Sequence, residues 1–170
     1  MNRIKLFSIA FLLFIGASNL MNAQSKIAHV DSQELIETMD AYKQAQNELE
    51  KIKKSYSDQI DDMMKEAQKT SERYQAEADT KTEEENQRRM MKLQEMQQSI
   101  SEFSQDAQED LQKKRESLLR PVLEKAREVI QEVAREKGYD YVLDSSVGSG
   151  VLMADGTDLI NDVKAALNKK

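Results

Sequence analysis

The 170 residues contain no cysteine and no tryptophan, one proline, one histidine and five glycines, and aromatic side chains make up only 5% of the chain. Without cysteine there is no disulfide, no thiolate metal site, no cysteine nucleophile and no lipid on an N-terminal cysteine. With His29 as the only imidazole, Ser-His, Cys-His and His-rich zinc arrangements lack their parts. His29 falls in a short candidate strand and reads as a packed or solvated side chain. Gly148-Ser149-Gly150 is not followed by a helix, so it is no phosphate loop, and Asp155-Gly156-Thr157-Asp158 lacks the remaining ligands of a calcium loop and reads as a turn. No cofactor, metal or catalytic residue is assigned, and an enzyme is not expected.

Long apolar runs are also scarce. The one candidate is Leu6–Ile15, behind Arg3 and Lys5 and ahead of small and polar residues up to Ala23. It is too short to span a bilayer and no stop-transfer segment follows, so residues 1–23 read as a secretory signal peptide, with an uncleaved anchor as the alternative. Cleavage after Ala23 would release a chain exported to the periplasm, with no stable membrane insertion. Loss of Arg3 and Lys5 leaves 23 basic against 31 acidic residues, a net charge of -8. Such acidity argues against nucleic acid as a partner, because phosphate binding needs clustered positive charge.

What is present is charge, 33% of the residues, against 39% hydrophobic and a mean hydropathy of -0.73. That balance suits long helices with a narrow buried stripe rather than one compact globule. From residue 17 to residue 120 there is neither Gly nor Pro, so helix breakers are absent. Leu35, Tyr42, Leu49, Tyr56, Met63 and Thr70 recur every seven residues, with Met39, Gln46, Lys53, Ile60, Ala67 and Tyr74 as the companion seam. Further on the period becomes eleven: Met96, Ala107, Leu118 and Val129, beside Ile100, Leu111, Val122 and Val133. Between the two patterns, residues 79–85 are polar, and Thr82 with Glu85 fits a capping box. An antiparallel hairpin with its tip near 79–85 follows, each arm of roughly 48 residues reaching about 70 Å; because no Gly or Pro enforces the turn, one uninterrupted helix is the alternative.

Pro121 is expected to end or kink the second arm near Arg120, and Gly138 to cap the following helix. Ile27–Val30, Tyr139–Leu143 and Val151–Met153 read as short strands, the last two joined by a turn over Ser146–Gly150, and Leu159, Val163, Ala166 and Leu167 mark a final helix. The fold class is α+β and mostly α. The arm occupies 39–120, and a small stranded body is formed by 24–38 with 121–170, about 65 residues, a size at which oligomerisation commonly helps.

Ile27-Ala28-His29-Val30-Asp31, Pro121-Val122-Leu123-Glu124-Lys125, Gly138-Tyr139-Asp140-Tyr141-Val142-Leu143-Asp144 and Asp158-Leu159-Ile160 ahead of Val163 resemble the Skp/OmpH family of periplasmic chaperones across essentially the whole mature chain. The resemblance implies a homotrimer whose small β body carries three helical hairpins around a cavity, in which unfolded outer-membrane β-barrel proteins are held. It places Ile27, Val30, Tyr141, Leu143, Val151 and Met153 in the trimer body. Family members often have Pro where this chain has Asp40, so the first helix is expected to run straight through. Ile160 stands where the family favours Thr, which weakens the capping of the last helix. Well-known members are strongly basic and this chain is acidic, so no lipopolysaccharide site is carried over.

The paired methionines, Met63-Met64 behind Asp61-Asp62 and Met90-Met91 behind Arg88-Arg89, are the unusual feature of the arms. With the tip near residue 81 or 82, Ile60 is expected opposite Phe103, Ala67 opposite Met96 and Tyr74 opposite Met90, with Met63 on the first stripe and Met90 joining the second. Ile52, Met64 and Met91 are left over and should stay partly exposed, because a two-helix hairpin buries one stripe per helix. Either this surplus is wobble in the seam, or these side chains, together with Ile60, Met63, Tyr74, Met90, Met96 and Phe103, form a client-facing lining. Met, unbranched and polarizable, suits the second role. The function expected is an ATP-independent holdase for unfolded outer-membrane proteins, with a coiled-coil adaptor or spacer docking to a fixed protein partner as the alternative.

Overall fold

The computed structural model describes residues 25–169; the signal peptide expected at 1–23 lies outside them. Along the chain come β1 (Ile27–Val30), α1 (Ser32–Thr38), α2 (Asp40–Glu77), a single 3-10 turn (Ala78–Thr80), α3 (Glu83–Glu136), β2 (Tyr141–Asp144), β3 (Thr157–Asp158) and α4 (Ile160–Leu167). Two compact units emerge. One takes in the described residues up to Leu35 together with those from Ala126 onward, and the other is Ile36–Lys125.

In the first unit the three strands form one parallel sheet in the order β2-β1-β3. Ile27 pairs with Tyr141 and Val30 with Asp144 on one side of β1; Ala28 and His29 pair with Thr157 and Asp158 on the other. The period-two pleat turns Ala28 and Val30 into the core with Leu35, Val129, Leu159 and Val163. Polar side chains tie the sheet ends: the Ser32 hydroxyl donates to Asp144 at 2.6 Å and the Ser146 amide at 3.0 Å. Burial pushes the Asp144 carboxyl upward, but these hydrogen bonds outweigh it and hold it below the usual carboxylate range. His29 Nδ1 lies 3.1 Å from the Ser145 hydroxyl, so the lone imidazole has a structural partner.

Helix α3 closes on a Schellman motif. Gly138, at φ 73°, donates to the Arg135 carbonyl, and the Tyr139 amide to that of Ala134. At the far end of the unit the Asp158 carboxylate accepts the Ile160 amide at 2.9 Å, so α4 starts without the Thr that position 160 lacks.

Two expectations fail and a third fails in part. Pro121 does not end the second arm: α3 continues through it to Glu136. Proline removes one intrahelical bond, to the carbonyl of Ser117, and both residues are exposed, so water can serve that carbonyl. Val151–Met153 is not a strand. Leu152 is fully exposed, and both edges of β1 are already occupied by β2 and by β3, which lies at Thr157–Asp158, partly within the expected turn. The first helix does not run straight through position 40 either. Met39 is extended, at φ -71° and ψ 131°, and buried, and it separates α1 from α2 without a proline.

In the second unit the seam positions read from the sequence are covered: Leu49, Thr70 and Ala107 are buried, and of the two heptad seams only Lys53 is exposed among residues 42–74. The tip falls where the polar stretch predicts. The Glu85 amide donates to Thr82 Oγ1 at 3.3 Å, the helix-start half of the capping box, while the Glu85 carboxylate turns to Arg89.

Candidate functional site

Two cross-links fix how α2 faces α3 within the arm. Midway, the Tyr56 hydroxyl donates to Asp110 at 2.7 Å while its ring meets Phe103 edge-on, with centroids 6.0 Å apart. The hydrogen bond to Asp110, followed by burial, holds the Tyr56 phenol above its ordinary range. Near the tip, Arg89 donates to Glu77 at 2.7 Å and lies 3.5 Å from Glu85. Its guanidinium carbon also stands 4.7 Å from the centre of the Tyr74 ring. The Arg89 side chain is only 12% exposed, and its Nε and Nη1 have no hydrogen-bond acceptor, so the negative ring face of Tyr74 and the Glu85 charge take an acceptor's place. The hydrogen bond from Arg89 holds the Glu77 carboxyl below its ordinary range. Asn86 completes the tip by donating to the Ala78 carbonyl at 3.0 Å.

This geometry sorts the candidate residues. Tyr74 faces Arg89 rather than Met90, which is a correction: a cation with carboxylates around it occupies the aromatic face, and Met90, one position on, is turned outward and 72% exposed. Met64 and Met91 are 55% and 57% exposed. Ile52, Ile60, Met63, Tyr74, Met96 and Phe103 are half-buried along the seam. The structure therefore brings Met63 and Met96 together in one groove and leaves Met64, Met90 and Met91 on the outer surface. Arg89, Glu77, Asn86 and Asp110, which hold the arm in register, do not stand out in an apolar pattern. The detectable signal was the Glu85–Arg89 spacing of four on one helix.

The stranded unit carries a second uncovered apolar surface. Ile27, Tyr141 and Leu143 are exposed on the sheet, and Val147, Leu152 and Met153 are exposed in the segment after β2. Val30 is buried in the chain's own core, and Val151 is half-buried. Parallel sheets are ordinarily covered on both faces, so three large apolar groups on an open sheet are informative. Among the described residues no helix is long and apolar enough to cross a membrane.

A family model described as "Outer membrane protein (OmpH-like)" matches residues 26–167. Among solved structures, a candidate outer membrane chaperone (OmpH-like) from Caulobacter crescentus CB15 shares the fold with a TM-score of 0.76, at 17% identity and with 86% of each chain covered. Among curated proteins none matches the chain.

Proposed function

The chain belongs to the OmpH-like outer membrane protein family, and from that premise we propose that it is an ATP-independent periplasmic holdase, a homotrimer that keeps unfolded outer-membrane β-barrel proteins from aggregating. The observation that carries this reading is apolar surface left uncovered on both units. On the sheet, Ile27, Tyr141 and Leu143 offer what a trimer interface would bury. On the arm, Met64, Met90 and Met91 offer soft, adaptable contacts to a client of no fixed shape. Three arms acting on one client add weak contacts through effective concentration rather than through sequence recognition.

Exposed thioethers flanked by charge are compatible with solubility, because the charged pairs Asp61-Asp62 and Arg88-Arg89 interrupt the apolar surface before it becomes a sticky patch. The role requires no catalytic group, cofactor or metal. The experiment is dilution of a urea-unfolded porin into buffer with and without the chain, in the absence of ATP, followed by light scattering. Slowed aggregation supports the holdase. A chain that leaves aggregation of every porin unchanged at physiological salt is instead an adaptor for a fixed partner.

A further inference from the structure

We propose that the groove between α2 and α3 in the outer half of the arm is a docking site for cationic amphipathic segments, so that the chain selects clients by charge as well as by apolar contact. The proposal rests on the holdase reading and names the segment chemistry that reading leaves open. The groove has a volume of about 390 Å³ and takes its apolar lining from Met63, Met96 and Ile100.

Its charge is one-sided. Asp62, Glu66 and Glu95 line it against a single cation, Lys92, a net of two negative charges. Lys92 is already engaged with Glu95 at 3.3 Å and Asp62 with Lys65 at 3.4 Å, and Glu66 makes no ion pair among the described residues. A second groove between the same helices has the opposite balance. There Leu49 and Leu111 are accompanied by Lys53 and Arg115 against Glu50. The methionine-lined groove is thus the acidic one of the two, and its occupant must bring apolar groups for the thioethers and positive charge for the rim.

An anionic segment of equal hydrophobicity would gain the same apolar contact and meet repulsion from the rim. Charge therefore acts here as a selector while apolar contact supplies the affinity. The net charge of -8 on the exported chain acts in the same direction at longer range, within a screening length of about 8 Å at physiological salt. One exposed ion pair changes affinity by a factor of roughly 1.5 to 5, so the one carboxylate without an ion pair, Glu66, predicts a preference of roughly threefold.

The test uses two fluorescent amphipathic peptides of equal length and identical apolar residues, with Lys at every polar position in one and Glu in the other. Anisotropy titrations with the full chain are expected to give a roughly threefold preference for the Lys peptide at low salt. The preference should collapse at about 0.5 M salt, where screening shortens charge interactions to a few ångströms. Asp62→Lys with Glu66→Lys should reverse the preference, Glu66→Gln alone should reduce it, and Lys53→Glu in the second groove should leave it in place. Equal binding of the two peptides, or a preference that survives the double charge reversal, overturns the proposal. If neither peptide binds while an unfolded porin is still retained, the groove is not the selector and the holdase reading stands. If the porin is not retained either, both fall.

Discussion

Replacing Arg89 with Met removes the guanidinium from the arm tip and keeps most of the apolar stem, so it isolates what the charge contributes. The cation sits 4.7 Å from the Tyr74 ring centre and is mostly screened from water, a setting in which a cation–π contact contributes about 1 kcal/mol. The ion pairs go to Glu77 and Glu85, which are 41% and 44% exposed, so solvent screening leaves them little to add. Two guanidinium nitrogens lack hydrogen-bond acceptors, and losing that unmet demand returns part of the cost. The net is about 1 kcal/mol, roughly a fivefold rise in the tip's opening equilibrium. Native-state hydrogen exchange reads it directly at the Lys81 and Asn86 amides, which donate to the Ala78 and Thr82 carbonyls. Those amides should exchange roughly fivefold faster in Arg89→Met, while amides of β1 and α4 keep their rates. Unchanged tip exchange, or an equal acceleration along the whole chain, would refute the assignment of Arg89 as the local clasp.

Three further predictions follow from particular side chains. Because the Arg89 hydrogen bond depresses the Glu77 carboxyl, the stabilisation from that contact is complete above the ordinary Glu value of 4.5 and is lost as pH falls through the lower folded value; since the Tyr74 ring contact supplies most of the effect and does not titrate in acid, the exchange difference between wild type and Arg89→Met should persist at neutral pH and shrink only slightly in acid. Gly138→Ala meets no atom within 4 Å but must adopt φ 73°, so it should cost about 1 kcal/mol through backbone strain alone, read as a lowered urea midpoint with an unchanged slope. Met64→Gln with Met91→Gln should weaken retention of an unfolded porin while native mass spectrometry shows the assembly unchanged; full retention would move client contact away from these exposed thioethers.

The long helices were legible because their signals are repeated many times. Positions eleven apart, from Met96 to Val129 and from Ile100 to Val133, all lie on the covered face of α3, and each repeat reinforces the same geometry. The tip was legible for the converse reason: the apolar pattern lapses at residues 79–85 and the chain turns at Ala78–Thr80. Features that depend on a single residue or on backbone pairing were not legible. A two-residue strand at Thr157–Asp158 has no side-chain period to detect, since its bonds to β1 are main-chain. The interruption at Met39 uses a residue with good helix propensity, held extended by burial of its side chain. At the candidate site, apolar spacing correctly left Met64 and Met91 exposed but assigned the Tyr74 face to Met90. Hydrophobic periodicity gives no weight to a cation, and Arg89, one position earlier, took that face.

Whether the arms of several copies enclose an unfolded client is tested most directly by native mass spectrometry of residues 24–170, alone and after mixing with a porin diluted from urea. A homotrimer that takes up one client chain, without ATP, is the predicted result. A monomer or dimer that ignores the porin would contradict the holdase reading and turn attention to a fixed partner for the uncovered sheet face of Ile27, Tyr141 and Leu143.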